Sequence, residues 1–429
     1  MAFEYKRRLA EKTLSEKLNS SGCVLVTGPK FSGKTTLCER FAKSSISLRN
    51  SNIIALAKSD PAGILKGECP RLIDEWQKAP EIWNEIKGNL DNDYEFGKFI
   101  ITGSTTPIDP TKIQHSGAGR IATLSLKPFS LYESGESSGL ISLSELFEKE
   151  GSQGDTVYSF DNPIDLSDIA FLLCRGGWPV SLFAKKEYAL ATTRNYFDGL
   201  FRIEDENDDF ASFLKRKDLG LLTLILKSFA RNISTEAKVS NMRKDILESG
   251  IRETLDDETF ASYQKTLQGL FITFEMPAWN LNLRSSVAVR SAPTHHFVDT
   301  SIATAALGIN PSDLLNDLRS FGFFFEDMAV RDLSIYLESI GGKLKHYRDS
   351  VGREVDAIAE LRNGEYAAIE IKIASEKNIN DGFSSLEKFE NALKRDGLKL
   401  PRFKMILVSH GPCYCKNGAY VVPIAMLKD

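Results

Sequence analysis

Gly28-Pro29-Lys30-Phe31-Ser32-Gly33-Lys34-Thr35 has the form G-x-x-x-x-G-K-[ST]. Its chemistry follows from its residue types. The glycines let the backbone curl so that its N–H groups face phosphate oxygens. The lysine reaches the β and γ phosphates, and the threonine hydroxyl ligates Mg²⁺. Thr36 extends the same stretch. The context is the required one. Cys23-Val24-Leu25-Val26-Thr27 is apolar, rich in β-branched residues and bounded by Gly22 and Gly28, so it predicts a buried strand running in. A helix is expected from about Lys34 to Lys43, and its N-terminus adds a positive dipole end. A chance match of this motif arises in roughly 1% of chains of this length on ordinary residue usage. Residues 28–36 are therefore expected to bind ATP.

Such a loop needs an acidic partner on a neighbouring strand. Arg71-Leu72-Ile73-Asp74-Glu75 supplies one about 40 residues on. Asp74 is expected to hold Mg²⁺ together with Thr35, and Glu75 to polarise the attacking water, because phosphoryl transfer is mostly positioning and charge stabilisation. A further strand, Phe99–Thr102, runs into Gly103 and Ser104, which makes Thr102 or Ser104 a candidate to orient water or sense the γ-phosphate. Arg120 follows the glycine-rich His115-Ser116-Gly117-Ala118-Gly119 and is expected to contact phosphate, either in its own subunit or in a neighbour of a homo-oligomer. Ile53–Ala57 is another strand candidate. Alternating strands and helices predict a parallel sheet covered on both faces.

The 429 residues allow two to four domains. Hydrophobic residues make up 42% and charged residues 26%, the composition of a globular chain, and the net charge of −4 excludes binding to nucleic acid by bulk charge alone. No apolar run reaches the roughly 18 residues of a membrane span. The N-terminal 22 residues carry charge throughout and lack a signal-peptide core. Their apolar residues predict an amphipathic helix over 3–18. Six scattered cysteines without metal spacing point to a reduced, cytoplasmic setting. Residues 134–168, rich in Ser, Gly, Asp and Glu, predict an irregular linker with a helix at Ser142–Glu150. Residues 168–235 predict helices, with the acidic run 204–209 as a solvated segment. Residues 235–274 predict a helix-turn-helix followed by a strand.

The stretches GPKFSGKTTL (28–37), PRLIDEWQKAPEIWNEI (70–86), FIITGSTTP (99–107), HSGAGRI (115–121) and LSLKPFSLYESGESSGLISLSELF (124–147) together resemble a prokaryotic AAA-type ATPase family. The members of this family carry a C-terminal domain originally catalogued as of unknown function. Arg175-Gly176-Gly177-Trp178-Pro179 is similar to its Gly-Gly-aromatic-Pro turn, and Trp279–Arg290 and Phe297-Val298-Asp299 resemble the start of its C-terminal domain. Phe31-Ser32 departs from the bulkier residues usual there, at positions that bind phosphate through backbone. The resemblance implies an α/β protein in four parts: a P-loop ATPase core (1–133), a linker and helical lid (134–234), a winged-helix-like module (235–290) and a restriction-endonuclease-like α/β domain (291–429).

The last part carries Asp356 and Glu370-Ile371-Lys372, the spacing of the PD-(D/E)xK nuclease-like fold, which the family's C-terminal domain resembles. In that fold two carboxylates on adjacent strands bind Mg²⁺ and the lysine stabilises charge at the attacked phosphate. Glu326, on a preceding helix, occupies the place of a further acidic ligand. Strands are expected at Lys343–Arg348, Glu354–Leu361, Tyr366–Ile373 and Lys404–Ser409. A two-residue Asn363-Gly364 turn pairs Asp356 with Ile371 on the wrong face. A three-residue loop with a left-handed Gly364 pairs Asp356 with Glu370, so the three-residue loop is expected. Lys394, Arg395, Lys399, Arg402 and Lys404 form the best candidate patch for DNA or RNA. Cys413 and Cys415 are expected side by side without a bond, and His295-His296 to pack. Three functions compete. The first is an ATPase that moves its C-terminal modules. The second is an ATP-dependent nuclease. The third is an ATP-controlled scaffold or regulator whose nuclease-like domain only binds partners.

Overall fold

The structure, a computed structural model, describes residues 4–105, 117–149, 156–158, 164–201, 217–248, 250, 253–280 and 292–429. The expectations for 204–209, for His115 and Ser116, and for 281–290 lie outside those residues.

The first part is a five-stranded sheet of order β2-β3-β4-β1-β5, all parallel, made of β1 (Cys23–Thr27), β2 (Ser44–Ser47), β3 (Arg71–Asp74), β4 (Phe99–Gly103) and β5 (Ile121–Ser125). One face is covered by α1 (Ala10–Leu18) and α2 (Lys34–Glu39). The other is covered by α3 (Ser51–Ser59), α4 (Pro61–Ile64) and α5 (Glu81–Asn92). Burial on both faces explains why β1 and β4 are near-continuous apolar runs. The carboxyl ends of β1, β3 and β4 lie side by side, where open α/β sheets bind ligands.

Two expectations fail here. Ile53–Ala57 is helix. Asn50 caps it by accepting from the Asn52 amide at 2.9 Å, and the strand precedes it as the polar edge β2, Ser44-Ser45-Ile46-Ser47. The helix at Lys34 stops at Glu39, four residues short of Lys43.

The segment expected to be a linker is woven into the C-terminal half. After α6 (Leu131–Ser134), β6 (Ile141–Ser142) pairs in parallel with the last strand of the chain. α7 (Leu143–Glu148) follows, and β7 (Thr156–Tyr158) becomes an edge of the C-terminal sheet. Pairing with distant backbone overrides the polar composition that suggested a loop. Then come α8 (Leu166–Arg175), α9 (Pro179–Phe183), α10 (Lys186–Gly199), α11 (Leu219–Arg231), α12 (Val239–Glu248) and α13 (Asp257–Gly269). They precede an antiparallel ribbon of β8 (Thr273–Met276) and β9 (Thr294–Phe297).

Helices α14 (Thr300–Leu307), α15 (Pro311–Asn316) and α16 (Leu318–Ser339) lead into the C-terminal sheet. Its strands are β10 (Gly342–Arg348), β11 (Glu354–Leu361), β12 (Tyr366–Lys372), β13 (Lys404–Val408), β14 (Cys413–Lys416) and β15 (Ala419–Pro423), joined by β7 in the order β10-β11-β12-β13-β15-β14-β7. α17 (Glu376–Arg395) packs on one face. β16 (Leu427–Lys428) pairs with β6. One apolar cluster runs from Leu131 to Leu427, so the middle and the C-terminal half share a core. No helix among the described residues is long and apolar enough to cross a membrane.

Candidate functional site

The loop after β1 holds the conformation its glycines allow. Gly28 has φ +146°, and a Cβ there meets the Leu126 carbonyl oxygen at 2.2 Å. Gly33 has φ +93° and starts α2. Lys34 is buried, and its Nζ donates to the carbonyls of Gly28 (2.9 Å) and Pro29 (2.7 Å). Burial lowers its pKa to about 8, against the opposing pull of Glu75 and Asp74. Ser32 Oγ is buried without a hydrogen-bond partner.

Asp74 ends β3 facing this loop. Its Oδ1 accepts from Thr35 Oγ1 and Thr102 Oγ1, both at 2.7 Å, and its Oδ2 from Ser47 Oγ at 3.1 Å. Glu75, the next residue, has φ +62°, which a non-glycine residue adopts at a cost of order 1–3 kcal/mol and which concentrates at functional sites. Its Oε2 accepts from Gln77 Nε2 (2.5 Å) and Ser104 Oγ (3.1 Å). Thr102 thus braces one carboxylate and Ser104 the other. The lysine poised on its own loop carbonyls, the orphaned Ser32 hydroxyl and the Thr35–Asp74 pair fit a nucleotide with Mg²⁺.

Arg120 corrects one expectation. Cys23 pairs with Ile121 in parallel β1 and β5, and the Cys23 amide donates to the Arg120 carbonyl at 3.0 Å. Arg120 therefore lies at the opposite end of the strands from Gly28, about 16 Å away at strand rise, and its guanidinium pairs with Asp91. Contact with the phosphates of its own loop is excluded by topology.

Several residues at the site were not legible in the sequence. Buried Arg8 donates to the Ser32 carbonyl (3.0 Å) and the Lys127 carbonyl (2.7 Å) and pairs with Glu133 (3.0 Å), clamping the loop from behind. Ser47, at the end of the edge strand β2, and Arg49, in the turn after it, reach Asp74. From the helical region, Tyr196 donates to the Lys30 carbonyl at 3.3 Å. Its ring stands edge-on to Phe31 (6.2 Å) and against Trp178 (4.2 Å).

The Gly-Gly-Trp-Pro turn passes the connection on. A Cβ at Gly177 meets the Phe129 carbonyl oxygen at 2.1 Å, and the Gly177 amide donates to Asp299 Oδ2 at 2.8 Å. Asp299 pairs with Arg331 (2.8 Å), and Arg331 pairs with Asp332 (2.7 Å). Asp332 in turn accepts from the Leu131 amide at 2.9 Å. All three charges are buried.

In the C-terminal sheet, β11 and β12 pair Ala357 with Ile369 and Glu360 with Tyr366. Arg362-Asn363-Gly364 is a three-residue loop with Gly364 at φ +78°. Continued one step, this register sets Asp356 opposite Glu370 on one face. Lys372 Nζ lies 2.8 Å from Asp356 Oδ2 and 2.7 Å from Glu370 Oε2. Burial, then Asp356, pushes the Glu370 carboxyl up to about 8, and the same causes in the same order raise Glu326 well above the usual range.

The expected metal site of Glu326, Asp356 and Glu370 is corrected. An ammonium bridges two of the carboxylates, and among the described residues no group of three or more His, Cys, Asp or Glu side chains is set to hold a metal. The basic patch is engaged locally. Lys394 and Lys404 both pair with Glu390, Arg395 with Asp396, Lys399 with the Gly364 carbonyl and Arg402 with the Phe147 carbonyl. All six cysteines are free, including Cys413 and Cys415.

Residues 20–135 match the AAA domain, residues 166–313 a domain of unknown function (DUF8612) and residues 321–427 another (DUF4143). Uncharacterized proteins of Mycobacterium bovis and Mycobacterium tuberculosis are each 23% identical over 384 residues, 89% of this chain and 77% of theirs. Among solved structures, a Walker-type ATPase of Pyrococcus abyssi aligns with TM-score 0.44 and 14% identity over 71% of this chain and 96% of its own. The ORC2 protein of Aeropyrum pernix, in ADPNP and ADP complexes, aligns with TM-score 0.30 and 10% identity over 70% and 91%. Residues 20–135 form an AAA-type P-loop ATPase domain, joined here to two domains that have no assigned function.

Proposed function

We propose that this chain is a Mg²⁺-dependent ATPase that converts nucleotide state into movement of its middle and C-terminal modules. The observation that carries the reading is that the nucleotide loop is bonded to the helical region at its tip, through Tyr196, Lys30 and Phe31. A nucleotide draws Lys34 off the Gly28 and Pro29 carbonyls, and the loop cannot change shape without the Tyr196–Trp178 stack registering it. The stack sits on the Asp299–Arg331–Asp332 network, which reaches α16. At the chemical end, Thr35 and Asp74 would hold the metal, which would supply positive charge to neutralise the phosphates. Glu75, held by Gln77 and Ser104, orients the attacking water and accepts its proton. Helices α11–α13 followed by the β8–β9 ribbon support a winged-helix reading of the middle module.

Phosphate release from wild type, Lys34→Ala and Glu75→Gln tests the proposal. Lys34→Ala is expected to lose nucleotide binding. Glu75→Gln is expected to keep binding and lose turnover by about 10²-fold or more. Equal rates in all three overturn it.

One observation favours a second reading for the C-terminal half. The Lys372 ammonium between Asp356 and Glu370 suits a module that docks a partner under ATP control more than one that cuts phosphodiesters. Incubation with single- and double-stranded DNA and RNA in Mg²⁺ or Mn²⁺ discriminates. Cleavage that Asp356→Ala abolishes restores the nuclease reading.

A further inference from the structure

Arg49 stands at the carboxyl end of β2, two residues after Ser47. Its Nη2 lies 3.1 Å from Asp74 Oδ2 and 3.4 Å from Thr35 Oγ1. Those two side chains are the ones assigned above to the metal. The Arg49 side chain is 64% exposed while Asp74 is buried, so the arginine reaches in from solvent and is held at its tip. A guanidinium and a divalent cation use the same oxygens and repel each other, so the two compete for this position.

We propose that Arg49 is a phosphate-contacting residue of the ATPase site that acts within its own chain and is released by the metal. Bonded to Asp74 and Thr35, it screens the acidic end of β3. With Asp74 and Thr35 engaged by a metal, the Arg49 guanidinium would be free at the mouth of the phosphate loop, beside the two side chains that would hold the metal. Its planar fork matches phosphate oxygens there and stabilises the charge that develops on them. No bond to carbon or phosphorus is made by Arg49, and its charge is unchanged throughout.

Four features favour this arginine. Arg120 sits at the far end of the sheet. Arg8 is buried and held by Glu133 and two carbonyls. Arg49 alone of these three touches the Thr35–Asp74 pair. Its loop is also anchored independently of its side chain, because the Leu48 amide donates to the Asp74 carbonyl (3.0 Å) and Asn50 caps α3.

The inference rests on the MgATP reading above, and its test separates the two. The probe is a fluorescent ATP analogue, titrated with Mg²⁺ against wild type, Arg49→Ala, Arg49→Lys and Lys34→Ala, with phosphate release measured in parallel. Removing the competing cation is expected to lower the Mg²⁺ concentration for half-maximal binding by about 2–5-fold in Arg49→Ala, the range for an exposed ion pair. Turnover at saturating Mg²⁺ and ATP is expected to fall by about 10²-fold, the loss seen when one charge-stabilising donor is removed. Arg49→Lys, which keeps the charge and loses the fork, is expected to restore the wild-type Mg²⁺ midpoint and only part of the turnover. An unchanged or raised midpoint in Arg49→Ala overturns the proposal, as does unchanged turnover. If wild type itself fails to bind the analogue, the MgATP reading falls. If wild type binds, Lys34→Ala does not and Arg49→Ala behaves as wild type, only the role of Arg49 falls.

Discussion

Replacing Arg331 by methionine tests whether the buried charge network joins the parts of the molecule. The guanidinium is 2% exposed and its two partners are fully buried. Its Nη1 bonds Asp299 at 2.8 Å, and Nε and Nη2 bond Asp332 at 2.8 and 2.7 Å. Without it, Asp299 keeps the Gly177 amide (2.8 Å) and Ser301, and Asp332 keeps the Leu131 amide (2.9 Å). Each carboxylate then carries a charge with no counter-ion in a dry interior. Breaking a buried pair this way costs about 3–5 kcal/mol, a large share of the 5–15 kcal/mol typical of a folded protein. The remedy is to remove the stranded charges as well. Arg331→Met combined with Asp299→Asn and Asp332→Asn is expected to recover at least half of the loss, because neutral amides still bond their neighbours. Urea unfolding followed by tryptophan fluorescence is the assay, since Trp178 donates to Ser301 Oγ at 3.0 Å and reports on this region directly. A single variant within about 1 kcal/mol of wild type refutes the reasoning, as does a triple variant no more stable than the single.

Lys34 gives a pH prediction for binding. Burial lowers its pKa to about 8 in the folded protein, so above pH 8 it is mostly neutral, and phosphate favours the ammonium. ATP binding is expected to take up protons increasingly as pH rises through 8, and affinity to fall over the same range. Calorimetry at pH 8.5 in two buffers of different ionisation heat checks this, and zero uptake contradicts it. Glu370 gives a pH prediction for stability. Its folded-state pKa, about 8, lies above its ordinary 4.5, so the folded state holds the proton more tightly. That contribution is complete below about pH 4.5 and is lost as pH rises to 8, at no more than about 1.4 kcal/mol per unit. Glu370→Gln is expected to flatten the dependence of the urea midpoint on pH, and an identical profile argues against it. Tyr196→Phe removes one bond to the Lys30 carbonyl and is expected to cost about 1 kcal/mol. Nucleotide affinity is expected to change in the same variant, and an unaltered affinity would cut the link between loop and helical region.

The nucleotide core was legible because its function needs fixed residue types at fixed spacing. Gly28, Lys34, Thr35 and Asp74 meet where the motif placed them, and the β11–β12 register followed from the period of two and one loop length. What escaped was set by tertiary context. β2 is a polar edge strand whose ladder, not its composition, makes it extended, so Ile53–Ile54 drew the strand assignment away from Ser44–Ser47. Misplacing β2 hid Ser47 and Arg49. The contact of Arg120 with its own loop was misjudged because sequence spacing does not say which end of a parallel strand faces the ligand. Arg8 had no local signal, since Ser32, Lys127 and Glu133 are brought to it only by folding, and for Arg331 the neighbouring Asp332 gave no hint that Asp299 completes the network.

The pairing of β6 and β7 with strands near the end of the chain bears on how the chain reaches its fold. β7 closes the edge of β14, whose nearer residue is 255 positions further along, and β6 waits for β16 at the end of the sequence. Half of the molecule therefore has to be synthesised before either pairing can form, and loops of that length close slowly. A fragment that begins after residue 290 leaves β14 with an open row of amides and carbonyls, the kind of edge that recruits foreign strands. Expressed alone, such a fragment is expected to self-associate, and adding residues 131–158 on a separate chain gives that edge its natural cover.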